Sequence, residues 1–141
     1  MPRPELRSNL AAAAEPLIFR HRAGVWDLTG RARVVGILNL TPDSFYDGGR
    51  HVAPDAAFQR VEAMAAEGAD AIDVGGQSTR PGAQALSAEE EWGRLEPRLQ
   101  SLVARVSLPF SIDTYHAEVA RRALDQGVAM VNDVSGLGVD P

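Results

Sequence analysis

The sequence predicts an α/β protein made of successive βα units around a parallel sheet, and three observations carry that prediction. From Arg33 onward, short apolar runs alternate with amphipathic segments of helical length. Glycine stops those segments at Gly68 and Gly127, and each stop is followed by an apolar run with a polar end. The apolar runs lack polar alternation, as expected of strands covered by helices on one face and by a packed interior on the other.

Residues 1–16 carry Pro, Arg and Ala without a sustained period and read as a flexible N-terminal lead to one domain over 17–141. Leu17-Ile-Phe-Arg-His-Arg22 and Val25-Trp-Asp-Leu-Thr29, separated by Ala23-Gly24, read as a short β-hairpin that covers one end of the main sheet. Val34 to Leu40 is the first core strand. The first helix starts at Pro54-Asp55, places Phe58, Val61, Met64 and Ala65 on one face, and ends at Gly68. Ala71 to Val74 is the second strand.

Ser87 and Glu90 form a capping-box pattern for the second helix, and Glu89-Glu-Glu91 reads as a favourable acidic first turn. Pro97 is expected to kink that helix or split it in two. Phe110 to Ile112 is the third strand. The third helix, around Glu118 to Leu124, can be capped by Thr114 and ends at Gly127, and Ala129 to Val131 is the fourth strand. An internal echo supports unit repetition, Glu67-Gly-Ala-Asp-Ala-Ile-Asp-Val-Gly-Gly76 against Gln126-Gly-Val-Ala-Met-Val-Asn-Asp-Val-Ser135.

The chain has 141 residues, 45% of them hydrophobic and 23% charged, which suits a single soluble domain. A net charge of -5 argues against a nucleic-acid binder, while leaving room for a local anion site. Without cysteine there is no disulfide framework, thiolate metal site or cysteine nucleophile. Glu15 and Pro16 break the Ala11 to Ala14 run, so it does not read as a signal peptide, and no segment reaches the ~18 apolar residues of a membrane span. A cytoplasmic location away from membranes is expected.

The chemistry concentrates where strands end. Gly36-Ile-Leu-Asn-Leu-Thr-Pro-Asp-Ser-Phe-Tyr-Asp-Gly-Gly49 runs from an apolar strand into a loop of amide, hydroxyl and carboxylate groups. Asn39 stands at that strand's polar end, and its side-chain oxygen suits magnesium, which completes its shell with water and phosphate, although taken alone an Asn there more often closes a turn. After the second strand, Gly75-Gly76 permits close backbone approach, and Ser78, Thr79 and Arg80 offer two hydroxyls and a guanidinium fork for diphosphate oxygens. A solvated arginine in a turn has the same sequence.

Asp113 and Asn132 follow the third and fourth strands, so a parallel barrel would aim both into its mouth. A carboxylate with a carboxamide matches the donor-rich edge of an amino-pyrimidinone ring, although both residue types also cap helices. His21, His51 and His116 lack metal-ligand spacing and read as surface or local hydrogen-bonding residues, and Trp26 and Trp92 as packing anchors.

Together these segments resemble the dihydropteroate synthases, with three motifs of that family in order between about Leu17 and Gly136. The resemblance implies a TIM (β/α)8 barrel of the pterin-binding type, here only about its first four βα units preceded by the N-terminal β-hairpin. It implies condensation of (7,8-dihydropterin-6-yl)methyl diphosphate with 4-aminobenzoate to 7,8-dihydropteroate and diphosphate, with Mg2+, in folate biosynthesis. By that resemblance Asn39 meets magnesium and diphosphate, Arg80 meets diphosphate, Asp113 and Asn132 hold the pterin, and Ser78 and Thr79 lie near 4-aminobenzoate. Gln77 stands where many members have Glu.

A cytoplasmic homodimer and a sulfonamide target are implied for the complete enzyme. A complete barrel takes roughly 250 residues, so the resemblance is to an N-terminal half with two open sheet edges, expected to be inactive alone. A pterin-binding methyltransferase domain or a non-catalytic half-barrel are the alternatives. The Thr-Pro-Asp-Ser-Phe and Ser-Thr-Arg-Pro-Gly loops favour the synthase over the methyltransferase.

Overall fold

The computed structural model describes residues 15–41, 56–77 and 85–140. A hairpin of β1 (Ile18–His21) and β2 (Gly24–Asp27) precedes three βα units and a last strand. These are β3 (Val35–Asn39), α1 (Ala56–Ala66), β4 (Ala71–Gly75), α2 (Ala88–Arg105), β5 (Phe110–Asp113), α3 (Ala117–Asp125) and β6 (Met130–Asn132). The main sheet is parallel with order β3-β4-β5-β6, so each helix crosses over to the neighbouring strand. The predicted strands and helices are present; the start predicted at Pro54-Asp55, like the lead over residues 1–14, lies outside the described residues.

One face of the sheet is sealed by helices. Leu38, Ile72, Val74, Phe110 and Ile112 point into a core shared with Val61 and Met64 of α1, Trp92, Leu95, Leu99 and Leu102 of α2, and Val119 and Ala123 of α3. Gly36 lets α1 lie close to β3, because a Cβ there would stand 2.6 Å from the Met64 sulfur. Gly68 and Gly127 end α1 and α3 with φ of +100° and +99°, the left-handed conformation glycine adopts at little cost, so the echoed glycines do the same job twice.

The other face differs from expectation. Instead of a packed interior, β3 shows Val35 and Ile37 to solvent, Ile37 at 66% exposure. A groove of about 870 Å³ lies between this face and the hairpin, with Phe19, Trp26, Val35, Ile37 and Met130 among its lining residues. The hairpin stands at the N-terminal end of the strands, as predicted, where the Arg22 amide donates to the Ala129 carbonyl at 3.2 Å and its guanidinium to the Leu124 carbonyl. Beside it, the Asp70 carboxylate takes hydrogen bonds from the Val34 amide, Arg33 and Arg31, and the Val34 amide first, then the two guanidinium groups, lower its pKa from the ordinary value.

Three local expectations change. The second helix is not split by Pro97: Ala88–Arg105 is one helix. A helical proline lacks one N–H and crowds the carbonyl four residues back, and here burial of Trp92, Leu95, Leu99 and Leu102 on either side of it offsets that cost. Thr114 is not the N-cap of α3; that position is His116, and the Ala117 amide is met by Asp140 at 2.8 Å. His21 is no hydrogen-bonding surface residue, since both its ring nitrogens are buried without a partner among the described residues. Strand alternation and the Phe19–Trp26 pairing put Phe19, His21 and Trp26 on one hairpin face, where their rings pack 4.8–6.1 Å apart.

Candidate active site

The strand register gathers the polar residues. Asn39 pairs with Gly75, Gly75 with Asp113, and Asp113 with Asn132, so four strands contribute one rung at the C-terminal edge of the sheet. Residues in register on parallel neighbours point to the same face, which is the open one. Two residues down each strand lies a second rung, Ile37, Asp73, Ser111 and Met130, whose side chains also face the groove.

Gly75 leaves the middle of the upper rung open. A Cβ there would meet Asn39 Oδ1 at 3.5 Å and Asp113 Oδ2 at 3.6 Å, so both side chains border the space above this backbone. The Asn132 amide donates to Asp73 Oδ2 at 2.9 Å, while Asp73 Oδ1 is buried without a partner among the described residues. That carboxylate oxygen is a ready acceptor for a ligand's N–H. Burial, and then the negative charges of Asp73 and Asp133, raise the Asp113 pKa above the ordinary carboxylate value.

Capping was the bland alternative for Asp113 and Asn132; the first amide of α3 is instead met by Asp140, and the turn after β6 is held by Asp133. Asp133 accepts from the Ser135 and Leu137 amides at 2.7 Å each, organising the turn after β6. Asn132 bonds back across the sheet to Asp73 instead. Ser78, Thr79 and Arg80 lie outside the described residues, as do His51 and residues 42–50 of the first loop. At the root of the second loop, Gln77 donates to the Tyr115 hydroxyl at 2.9 Å, tying the ends of β4 and β5 together.

Asp73 is the member of this candidate site that sequence reasoning missed. Its signal was a lone carboxylate in the otherwise apolar run Ala71 to Val74, in phase with the polar end two residues later. As for a metal, Asn39 supplies a hard oxygen of the kind magnesium accepts, and magnesium needs few protein ligands when phosphates and water complete its shell. Among the described residues no three His, Cys, Asp or Glu side chains gather as a protein cage. Asn39 thus offers such an ion one oxygen ligand from the described residues.

The profile of the family described as pterin binding enzyme matches residues 35–141. The chain belongs to the pterin binding enzyme family. The sequence is 49% identical over 117 residues to a dihydropteroate synthase of Synechocystis, covering 83% of this chain and 40% of that protein. Its fold matches the Xanthomonas albilineans dihydropteroate synthase with 4-aminobenzoic acid at a TM-score of 0.74 and 48% identity, over 82% of this chain and 42% of that one.

The Burkholderia cenocepacia dihydropteroate synthase complexed with 7,8-dihydropteroate matches at a TM-score of 0.72 and 39% identity, over 86% and 39% of the two chains. This pterin binding enzyme chain thus spans about two fifths of the length of these relatives. No described helix is long and apolar enough to cross a membrane.

Proposed function

We propose that this chain carries the pterin side of a dihydropteroate synthase site, which joins 4-aminobenzoate to (7,8-dihydropterin-6-yl)methyl diphosphate and releases diphosphate. The observation that carries this reading is the rung of Asn39, Gly75, Asp113 and Asn132 with Asp73 beneath it. In it the pterin's amino and ring N–H groups donate to Asp113 and to the free oxygen of Asp73, and Asn132 meets the ring's mixed donor and acceptor edge. Gly75 leaves room for the flat ring.

As diphosphate departs, positive charge develops on the pterin methylene, and the two carboxylates below it favour that charge. Arg80 takes diphosphate oxygens, Ser78 and Thr79 lie beside 4-aminobenzoate, and Asn39 holds the magnesium that accompanies the diphosphate. Magnesium, when bound, neutralises charge on the leaving oxygens. The protein's own part is placement and electrostatics, with no covalent nucleophile.

The same reading makes the parallel sheet the first half of a TIM (β/α)8 barrel, with residues 17–141 in one domain behind a lead over 1–16. It makes the open face that barrel's interior, and the complete enzyme a cytoplasmic homodimer. It also expects this chain alone to be inactive. Calorimetry of the pterin diphosphate on the purified chain, with dihydropteroate formation measured beside a complete-barrel synthase, tests the reading. Asp113→Ala is expected to weaken pterin binding roughly 10- to 150-fold, the worth of charged hydrogen bonds. Unchanged affinity in a folded Asp113→Ala chain refutes it.

A further inference from the structure

Glu89, Glu90 and Glu91 are consecutive at the start of α2, and each does something different. Glu89 pairs with Arg122 of α3, and Glu90 closes the capping box with Ser87. Glu91 is turned inward and is 1% exposed, among the most buried side chains of the described residues. Its carboxylate accepts the Thr114 hydroxyl at 2.8 Å.

Thr114 is the residue directly after Asp113 and is buried in turn. Its hydroxyl oxygen also accepts the His116 amide at 3.1 Å, and its own amide donates to the Asn132 carbonyl at 3.0 Å. The end of β5 is therefore pinned from two sides, by the neighbouring strand and by a carboxylate from the helix behind it. Glu91 supports the end of β4 as well: a Cβ at Gly76 would stand 3.2 Å from both Glu91 Cγ and its carbonyl oxygen. One turn later, Arg94 donates to the Gly76 carbonyl at 3.3 Å. The first turns of α2 thus back the two residues that follow Gly75 and Asp113 in the polar rung.

We propose that Glu91 is a positioning residue that acts through the Thr114 hydroxyl to fix the Asp113 carboxylate for the pterin ring. The inference rests on the dihydropteroate synthase reading above. A buried carboxylate is costly, and an apolar side chain in the same stripe would pack there without that cost. What the carboxylate adds is a directed hydrogen bond to the residue after Asp113. Burial raises the Glu91 pKa, against the opposing effects of the Thr114 hydrogen bond and the His116 and Arg94 charges.

A double-mutant cycle tests the inference, with binding of (7,8-dihydropterin-6-yl)methyl diphosphate to this chain read by calorimetry and thermal unfolding recorded for each variant. If Thr114 acts through Asp113, Thr114→Val weakens binding about fivefold, Thr114→Ser restores it to within about twofold, and Thr114→Val added to Asp113→Ala costs nothing further. A purely structural role leaves the effects independent, so a further loss of about fivefold in the double variant overturns the inference. So does wild-type affinity in Thr114→Val.

Thr114→Val strands the buried Glu91 carboxylate. If it does not fold, Glu91→Leu takes its place, leaving only a neutral hydroxyl without its acceptor: about fivefold weaker binding alone and no further loss beside Asp113→Ala are expected, and wild-type affinity alone or an independent loss of about fivefold overturns the inference. Wild-type affinity in Asp113→Ala sinks the dihydropteroate synthase reading instead, and the two failures are told apart.

Discussion

The two faces of the sheet obey different rules. On the helix side, β4 and β5 present Ile72, Val74, Phe110 and Ile112, all buried and all apolar, and exchange of any of them is felt by a close-packed core. On the open side the same strands carry Asp73, Ser111 and Asp113, with Gly75 where another strand would carry a side chain. Period-two alternation thus writes stability on one set of positions and chemistry on the other. A strand residue's neighbour in sequence tells less about its role than the residue two places away.

The largest effect that separates the faces is expected at Ile112. Ile112→Ala removes a fully buried side chain one residue before Asp113 and should cost about 2–5 kcal/mol in denaturant unfolding, enough to unfold a marginal chain. The adjacent glycines sharpen the contrast. Gly76→Ala drives a methyl to 3.0 Å from Leu95 Cγ and 3.2 Å from Glu91 on the helix side, and should cost about 1–3 kcal/mol.

Gly75→Ala meets Asn39 and Asp113 only at ordinary contact distance, so its thermal unfolding should change by less than about 0.5 kcal/mol. Its methyl fills the open middle of the rung, so pterin diphosphate affinity should fall nonetheless. Equal stability losses from the two glycine substitutions would break the comparison.

The smallest expected effect is a pH dependence on the open face. The Asp113 pKa is raised in the folded chain by burial and by Asp73 and Asp133, so ionisation there disfavours the fold. The stability that the protonated form gives is complete below the ordinary value of 3.8 and is lost as pH rises through the higher folded value. Asp113→Asn should therefore be slightly more stable than the wild type at pH 7 and equal to it at pH 3. A difference of opposite sign in paired thermal melts would mean that Asp113 has a favourable partner.

Much of the architecture was legible because its signals are local. Gly68 and Gly127 stop helices, Ser87 with Glu90 starts one, and the apolar runs between them become strands. Asn39, Asp113 and Asn132 were legible as site candidates because each ends such a run, and the strand register then placed them on one rung. Two residues escaped because the wrong pattern was read around them. Asp73 sat inside a run judged only by its hydrophobicity, although its spacing from Gly75 assigns it to the polar face.

Glu91 was read only as part of a favourable acidic first turn, yet it lies four, eight and eleven residues before Leu95, Leu99 and Leu102, on the buried stripe of α2. A carboxylate in phase with a leucine stripe was the available signal. Pro97 shows the converse, a strong local breaker outweighed by the buried stripe that continues on both sides of it. The exposed face of β3 was not legible at all, since apolar runs look alike whether or not a second layer covers them.

The order β3-β4-β5-β6 follows the order of synthesis, each strand docking beside the one made just before it. A ribosome delivering this chain from its N-terminus therefore never asks a strand to wait for a distant partner. Asn39, Gly75, Asp113 and Asn132 each have their rung neighbour on the strand made just before or just after their own, so the pairing of this rung needs no strand to cross an earlier one.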